Sequence, residues 1–237
     1  PLHELDAPPD LPHVLQILIH RQTIRRPQRC SEAGHFGHDP VEHAAVGLAS
    51  GGPLIALLPG SRPQEIATML PVMLSLTPRY PQYQFVIAGA PSTPVEFYTP
   101  FLKDREAGLV INQTYPLLNS AHAALVTSGT ATLETALLGV PQVVCYKGNW
   151  ISYQIAKRLI TLEYISLVNL IMDRQVVTEL IQEDLNPENL AKELDSILSG
   201  PGREAQLSAC SELREKLGGT GASDQAAQLI VDFSKRM

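Results

Sequence analysis

Four small residues, Thr127-Ser128-Gly129-Thr130, follow the apolar pair Leu125-Val126 and lead into Ala131-Thr132-Leu133-Glu134. Hydroxyls and unpaired amide N–H groups at a helix start, where the macrodipole is positive, make an anion site. Ser128, Gly129 and Thr130 are therefore expected to hold a phosphate. Glu134 lies four residues beyond Thr130, on the same helix face and one turn deeper. A carboxylate there can accept hydrogen bonds from paired hydroxyls such as those of a ribose. An ordinary capped helix accounts for Glu134 but does not require Ser-Gly-Thr before it. The combination points to a nucleoside diphosphate at the carboxyl edge of a parallel sheet.

A second turn with suitable chemistry is Leu57-Leu58-Pro59-Gly60-Ser61-Arg62-Pro63-Gln64-Glu65-Ile66. Gly60 permits a tight turn or close ligand approach, and Ser61 with Gln64 has capping-box spacing ahead of a helix that Pro63 can open. Arg62 then projects from a strand's carboxyl end, where a permanently charged, bidentate guanidinium suits a diphosphate. Asn169, read as lying just past a strand, offers its amide to a phosphate or base edge, or else makes an Asx turn. Lys147 lies on the same edge and adds positive charge, with a solvated lysine the plainer reading. Neither GxxxxGK[ST] nor GxGxxG occurs, which disfavours ATPase and dehydrogenase readings. There is no DxD pair for a metal–diphosphate, so a metal-independent site without a cofactor is expected. His35, His38 and His43 invite a zinc hypothesis, but no cysteine pair supports them and exposed loop histidines are the default.

The elements that must position these residues alternate from Leu54 onward. A short continuous apolar run at Leu54–Leu58 reads as a strand covered on both faces, and Gln84–Ala88, Leu109–Ile111, Ala123–Val126 and Gln142–Tyr146 read as further strands, with Tyr164–Leu167 a final one. Between them helices are expected from about Pro63, with Pro71 kinking or splitting the first, and at Val95–Leu102, Tyr115–Ser120, Ala131–Leu138 and Trp150–Ile160. Alternation of this kind implies right-handed crossovers and a Rossmann-like, doubly wound parallel α/β sheet. Beyond about Val176 the pattern reads as helical, over 176–182, 187–198, 203–217 and 222–235. Three regions are expected: a poorly ordered or remnant segment and linker over 1–50, a nucleotide-binding domain over 51–182, and C-terminal helices over 183–237.

The chain has 237 residues and a formal net charge of −6, which argues against general nucleic-acid binding. Its three cysteines, Cys30, Cys145 and Cys210, form no CxxC pair and fit a reducing cytosol. No apolar run is long enough for a membrane span, so a soluble chain with at most peripheral membrane contact is expected.

Taken together, LLPGSRxxEI, the TSGTATLETALLGVPQVVCYK block, AKRLIxxxYISLVNLI and VVTELIQ resemble the C-terminal half of bacterial lipid-A-disaccharide synthase, over about residues 54–235. His35-Phe36-Gly37-His38-Asp39-Pro40 is similar to a segment before that family's interdomain link, with Asp39 as an extra residue. The resemblance implies the C-terminal domain of a GT-B glycosyltransferase. It also implies transfer from UDP-2,3-diacylglucosamine to lipid X, giving the lipid A disaccharide phosphate and UDP. By motif match Arg62 would contact the diphosphate, Ser128, Gly129 and Thr130 would hold phosphate, Glu134 the ribose, and Asn169 would complete the pocket, with Gly60 and Ser61 also at the donor nucleotide. The family's acceptor site and general base lie in its N-terminal domain, almost absent here, so the chain is expected to bind donor without transferring it. The resemblance further implies a cytoplasmic protein peripheral to the inner membrane and a homodimer through the C-terminal helices. The alternatives are the UDP half of a peptidoglycan UDP-GlcNAc transferase or UDP-GlcNAc 2-epimerase, or a noncatalytic nucleotide-binding or dimerisation module.

Overall fold

The computed structural model describes residues 52–103, 105–148 and 163–218. By its contacts the chain divides into two units, Pro40–Leu217 and a second made of Pro1–Asp39 with Gly218–Met237. Every element below belongs to the first. The histidine cluster and the helices expected at Trp150–Ile160 and 222–235 lie outside the described residues.

Six strands, β1 (Leu54–Leu58), β2 (Gln84–Gly89), β3 (Ala107–Ile111), β4 (Ala121–Thr127), β5 (Gln142–Tyr146) and β6 (Thr178–Ile181), form one parallel sheet in the order β3-β2-β1-β4-β5-β6. The helices are α1 (Pro63–Leu74), α2 (Val95–Leu102), α3 (Thr114–Ser120), α4 (Thr130–Leu137), α5 (Leu167–Met172), α6 (Pro187–Leu198) and α7 (Gly200–Lys216). The chain winds outward from β1 to β3, returns to place β4 beside β1, and then winds the other way. The order therefore reverses between β1 and β4, which is where ligands bind in open sheets of this Rossmann-like type.

Alternate residues along each strand serve opposite faces. Ile55, Leu57, Phe85, Ile87, Leu109 and Leu125 join Ile66, Leu70 and Met73 of α1, Tyr98 of α2 and Leu190, Leu194 and Ile197 of α6 in one core layer. Ala56, Leu58, Val86, Ala88, Val110 and Val126 pack under Leu117 and Leu118 of α3 on the other. Val144 continues that second face with Ala136 of α4, Val168 and Met172 of α5, and Cys210 and Leu213 of α7. Double-sided burial is why the strands read as unbroken apolar runs. Because α6 shares its core layer with the strands, the change at 182/183 is a change of element type and not a break in packing.

Three local expectations are corrected. The stretch 176–182 contains strand β6, which pairs in parallel with β5 from Val143↔Thr178 to Tyr146↔Ile181. Tyr164–Leu167 is not a strand: Ser166 is the N-cap of α5, and its hydroxyl accepts the Asn169 N–H at 3.3 Å. Pro71 sits inside α1 without splitting it. The carbonyl that Pro71 leaves without its helical donor belongs to the exposed Ala67, while buried Ile66, Met69, Leu70, Met73 and Leu74 hold the helix to the sheet.

Candidate functional site

The turns leaving β1 and β4 stand side by side at the carboxyl edge, since the two strands pair through Leu58↔Val126. Sequence reasoning named Gly60, Ser61 and Arg62 on one and Ser128, Gly129 and Thr130 on the other. The topology brings both sets to the point where the strand order reverses.

On the β1 side the cap lies one residue later than its sequence spacing implied. Arg62, not Ser61, is the N-cap of α1. The Glu65 carboxylate folds back to accept the Arg62 backbone N–H at 3.4 Å and its guanidinium Nη1 at 2.9 Å. Gly60 makes room for this. Its φ is +106°, and a Cβ there would stand 2.8 Å from Glu65 Oε2 and 3.0 Å from Glu65 Cβ. The Arg62 side chain is 81% exposed. Exposed pairs of this kind contribute about 0–1 kcal/mol, so the guanidinium can leave Glu65 for a phosphate at little cost. Ser61 is exposed beside it.

On the β4 side Gly129 is the N-cap of α4, and no side chain caps the helix. Gly129 offers no side-chain cap to the N–H groups of Thr130 and Ala131, and an anion can meet those two, while that of Thr132 turns back to the Gly129 carbonyl. Gly129 has φ +151° and ψ −164°, a conformation almost confined to glycine, yet an added Cβ would meet nothing within 4 Å. Backbone geometry, not crowding, demands the glycine here, and the space beside it is open. Thr132 braces the turn from within the helix, its hydroxyl and N–H reaching the Gly129 carbonyl at 2.8 and 3.2 Å. Thr127 is 6% exposed and its hydroxyl has no hydrogen-bond partner. Thr127 belongs to the turn read from the sequence, whereas the bracing Thr132 has no role in that reading. Thr130 is exposed at the helix start, and Glu134 is half-buried one turn on, engaged with other protein groups.

Ser128 is placed differently from its neighbours. Its N–H extends the β4–β5 pairing by donating to the Cys145 carbonyl at 3.1 Å, and its hydroxyl donates to the Ile165 carbonyl at 3.2 Å. Lys147 is exposed beyond β5 on the same edge. Burial pushes the Cys145 thiol up to about 12, so this cysteine is an inert core residue.

Asn169 does not line the mouth. It lies within α5, is 0% exposed, and its amide is fully used inside the protein. Nδ2 donates to the Val177 carbonyl at 2.9 Å and Glu179 Oε1 at 2.8 Å. Oδ1 accepts the Val176 and Val177 N–H groups at 2.7 and 3.0 Å. All of its side-chain donors and acceptors are engaged within the protein here, so it differs from the other expected site residues in its placement. Among the described residues no cluster of three or more His, Cys, Asp or Glu is placed to hold a metal.

A family model described as lipid-A-disaccharide synthetase matches residues 37–233, most of the chain. The chain belongs to the lipid-A-disaccharide synthetase family. A lipid-A-disaccharide synthase of Anaeromyxobacter dehalogenans (strain 2CP-C) is 38% identical over 196 residues, 79% of this chain and 51% of that protein. One from Syntrophus aciditrophicus (strain SB) is 40% identical over 202 residues, 80% of this chain and 52% of the relative. The chain thus spans about half the length of the curated relatives it matches. Among solved structures, the kitacinnamycin glycosyltransferase aligns with TM-score 0.54 and 16% identity, over 84% of this chain and 47% of that one. The glycosyltransferase VinC in complex with dTDP gives 0.52 and 17%, over 80% and 43%. At such identities the likeness speaks to the fold. This family member has the doubly wound sheet and flanking helices of half a glycosyltransferase.

Proposed function

We propose that this chain supplies the UDP-sugar donor site of a lipid-A-disaccharide synthase, the enzyme that joins UDP-2,3-diacylglucosamine to lipid X with release of UDP. The observation that carries the reading is the pairing of two turns at the β1/β4 reversal point in a member of this family. One turn bears an exposed arginine, the other an uncapped helix start. Arg62 and the α4 N-terminus would bind the diphosphate, with Gly60 and Ser61 at the β1 turn and Gly129 and Thr130 at the β4 turn. Glu134 would take the ribose hydroxyls, and Lys147 would add positive field. Charge grows on the departing UDP as the glycosidic bond breaks. Fixed donors at these positions bind that charge more strongly than the ground state, which is how they lower the barrier. No described residue is assigned as general base. The acylated substrates would bring the protein to the cytoplasmic face of the inner membrane; no described helix is long and apolar enough to cross it. A homodimer through the C-terminal helices belongs to the same reading.

Titration calorimetry with UDP tests the assignment. Saturable binding is expected, with Arg62→Ala weakening it about tenfold, the loss of one charge-assisted contact, and Glu134→Ala weakening UDP more than deoxy-UDP. A well-folded sample that shows no UDP binding would refute it.

A further inference from the structure

Glu179 in β6 has no part in the site as outlined above, yet it receives an unusual number of hydrogen bonds. Its Oε2 accepts the Ile165 N–H at 2.9 Å. Its Oε1 accepts the Ser166 N–H at 2.9 Å and the Asn169 amide at 2.8 Å. Two consecutive backbone N–H groups and the buried Asn169 thus converge on one carboxylate, and charge-assisted bonds of this kind are the stronger class. The peptide they fix is the one whose carbonyl, at Ile165, accepts the Ser128 hydroxyl. A continuous path runs from Glu179 through the Ile165 backbone to the side chain beside Gly129. We infer that Glu179 is a positioning residue of the nucleotide site: it holds the Ile165 carbonyl where that carbonyl keeps the Ser128 oxygen at the phosphate-binding turn.

The inference rests on the proposed donor site. The Ser128 hydroxyl donates to the Ile165 carbonyl. A hydroxyl hydrogen rotates freely, so it can turn to a phosphate oxygen while the side chain keeps its rotamer. The carboxylate contributes by ordering Ser128 before the ligand arrives, which removes part of the ordering cost of binding. Glu179 acts only through Ser128, and the two residues must therefore be thermodynamically coupled.

A double-mutant cycle on the full chain, read by UDP calorimetry, decides the matter. Glu179→Gln keeps one carbonyl oxygen but sets an NH2 group against a backbone N–H. Expected are a roughly fivefold weaker UDP affinity, a similar loss in Ser128→Ala, and no further loss in the double variant. Amide exchange at Ile165 and Ser166 should accelerate in Glu179→Gln while the global unfolding midpoint shifts little. Additive losses, or unchanged UDP affinity in Glu179→Gln beside a weakened Ser128→Ala, would overturn this inference and leave the donor site standing. Absence of UDP binding in the unsubstituted chain would overturn both. If Glu179→Gln does not unfold cooperatively, Glu179→Asp, which keeps the charge and withdraws it by one methylene, is measured with the same expectations.

Discussion

Gly129→Ala separates two reasons for a glycine that are usually confounded. An alanine Cβ at this position would touch nothing within 4 Å, so the substitution carries no clash. Its whole cost is conformational. At φ +151° and ψ −164° a non-glycine residue is held in a region worth about 1–3 kcal/mol of strain. For a domain of this size that corresponds to a melting temperature lower by about 2–12 °C. The backbone has one alternative, to relax toward negative φ, and doing so swings the Gly129–Thr130 peptide and re-aims the first N–H of α4. Stability and ligand binding are then exchanged. Either the turn keeps its shape and the protein melts lower, or it relaxes and UDP binds more weakly. Thermal unfolding and UDP calorimetry on the same sample measure both. Gly60→Ala is the informative contrast, because there the positive φ is joined by a 2.8 Å approach to Glu65 Oε2, and a larger loss of stability is expected. A Gly129→Ala protein with unchanged melting temperature and unchanged UDP affinity would refute the argument that backbone geometry selects the glycine.

Asn169→Ala should destabilise the protein by about 3 kcal/mol or more, measured by urea unfolding, because it strips partners from the buried Val177 N–H and carbonyl and from the Val176 N–H. Alkaline conditions should destabilise the fold through Cys145. Its thiol titrates near 9 in the unfolded chain and is raised to about 12 in the core, so the folded state holds this proton more tightly. Its contribution is complete below pH 9 and declines as pH rises from 9 toward 12. Melting temperatures across pH 8–11 should fall, and Cys145→Ala should flatten that fall; an equal slope in the variant would remove Cys145 as its cause.

The parts of the fold that were legible are those in which a local pattern and the tertiary environment agree. Leu54–Leu58 and Gln142–Tyr146 match β1 and β5 to the residue, because interior strands buried on both faces are mainly apolar, the buried Gln142 being held by its bond to the Thr132 carbonyl. Pro187–Leu198 matches α6, where Asn186 caps the helix and Pro187 opens it. Strand β6 was illegible for the opposite reason. It is an edge strand of four residues, Thr-Glu-Leu-Ile, with one buried side chain, and its pairing with β5 is the main sign of its type. Small residues at strand ends mark the two turns in the sequence, and the structure places both beside the β1/β4 reversal. The packing of Asn169 was illegible, since its partners lie seven to ten residues ahead and nothing in the local sequence shows that its amide is consumed. Glu65 and Gln64 are adjacent candidates for the same cap.

Strands β1 and β4, which carry the Arg62 and Gly129 turns, have neighbours on both sides, whereas Glu179 hangs from β6 at the sheet margin. The two turns are thus carried by interior strands, and the Ile165 peptide is held from the margin. Fraying begins at margins, so the Ile165 side should loosen under mild denaturant while the β1–β4 pair still resists amide exchange. In the donor site proposed above, a nucleotide would meet donors carried by interior strands, and its affinity would depend on how firmly the sheet margin holds the Ile165 peptide.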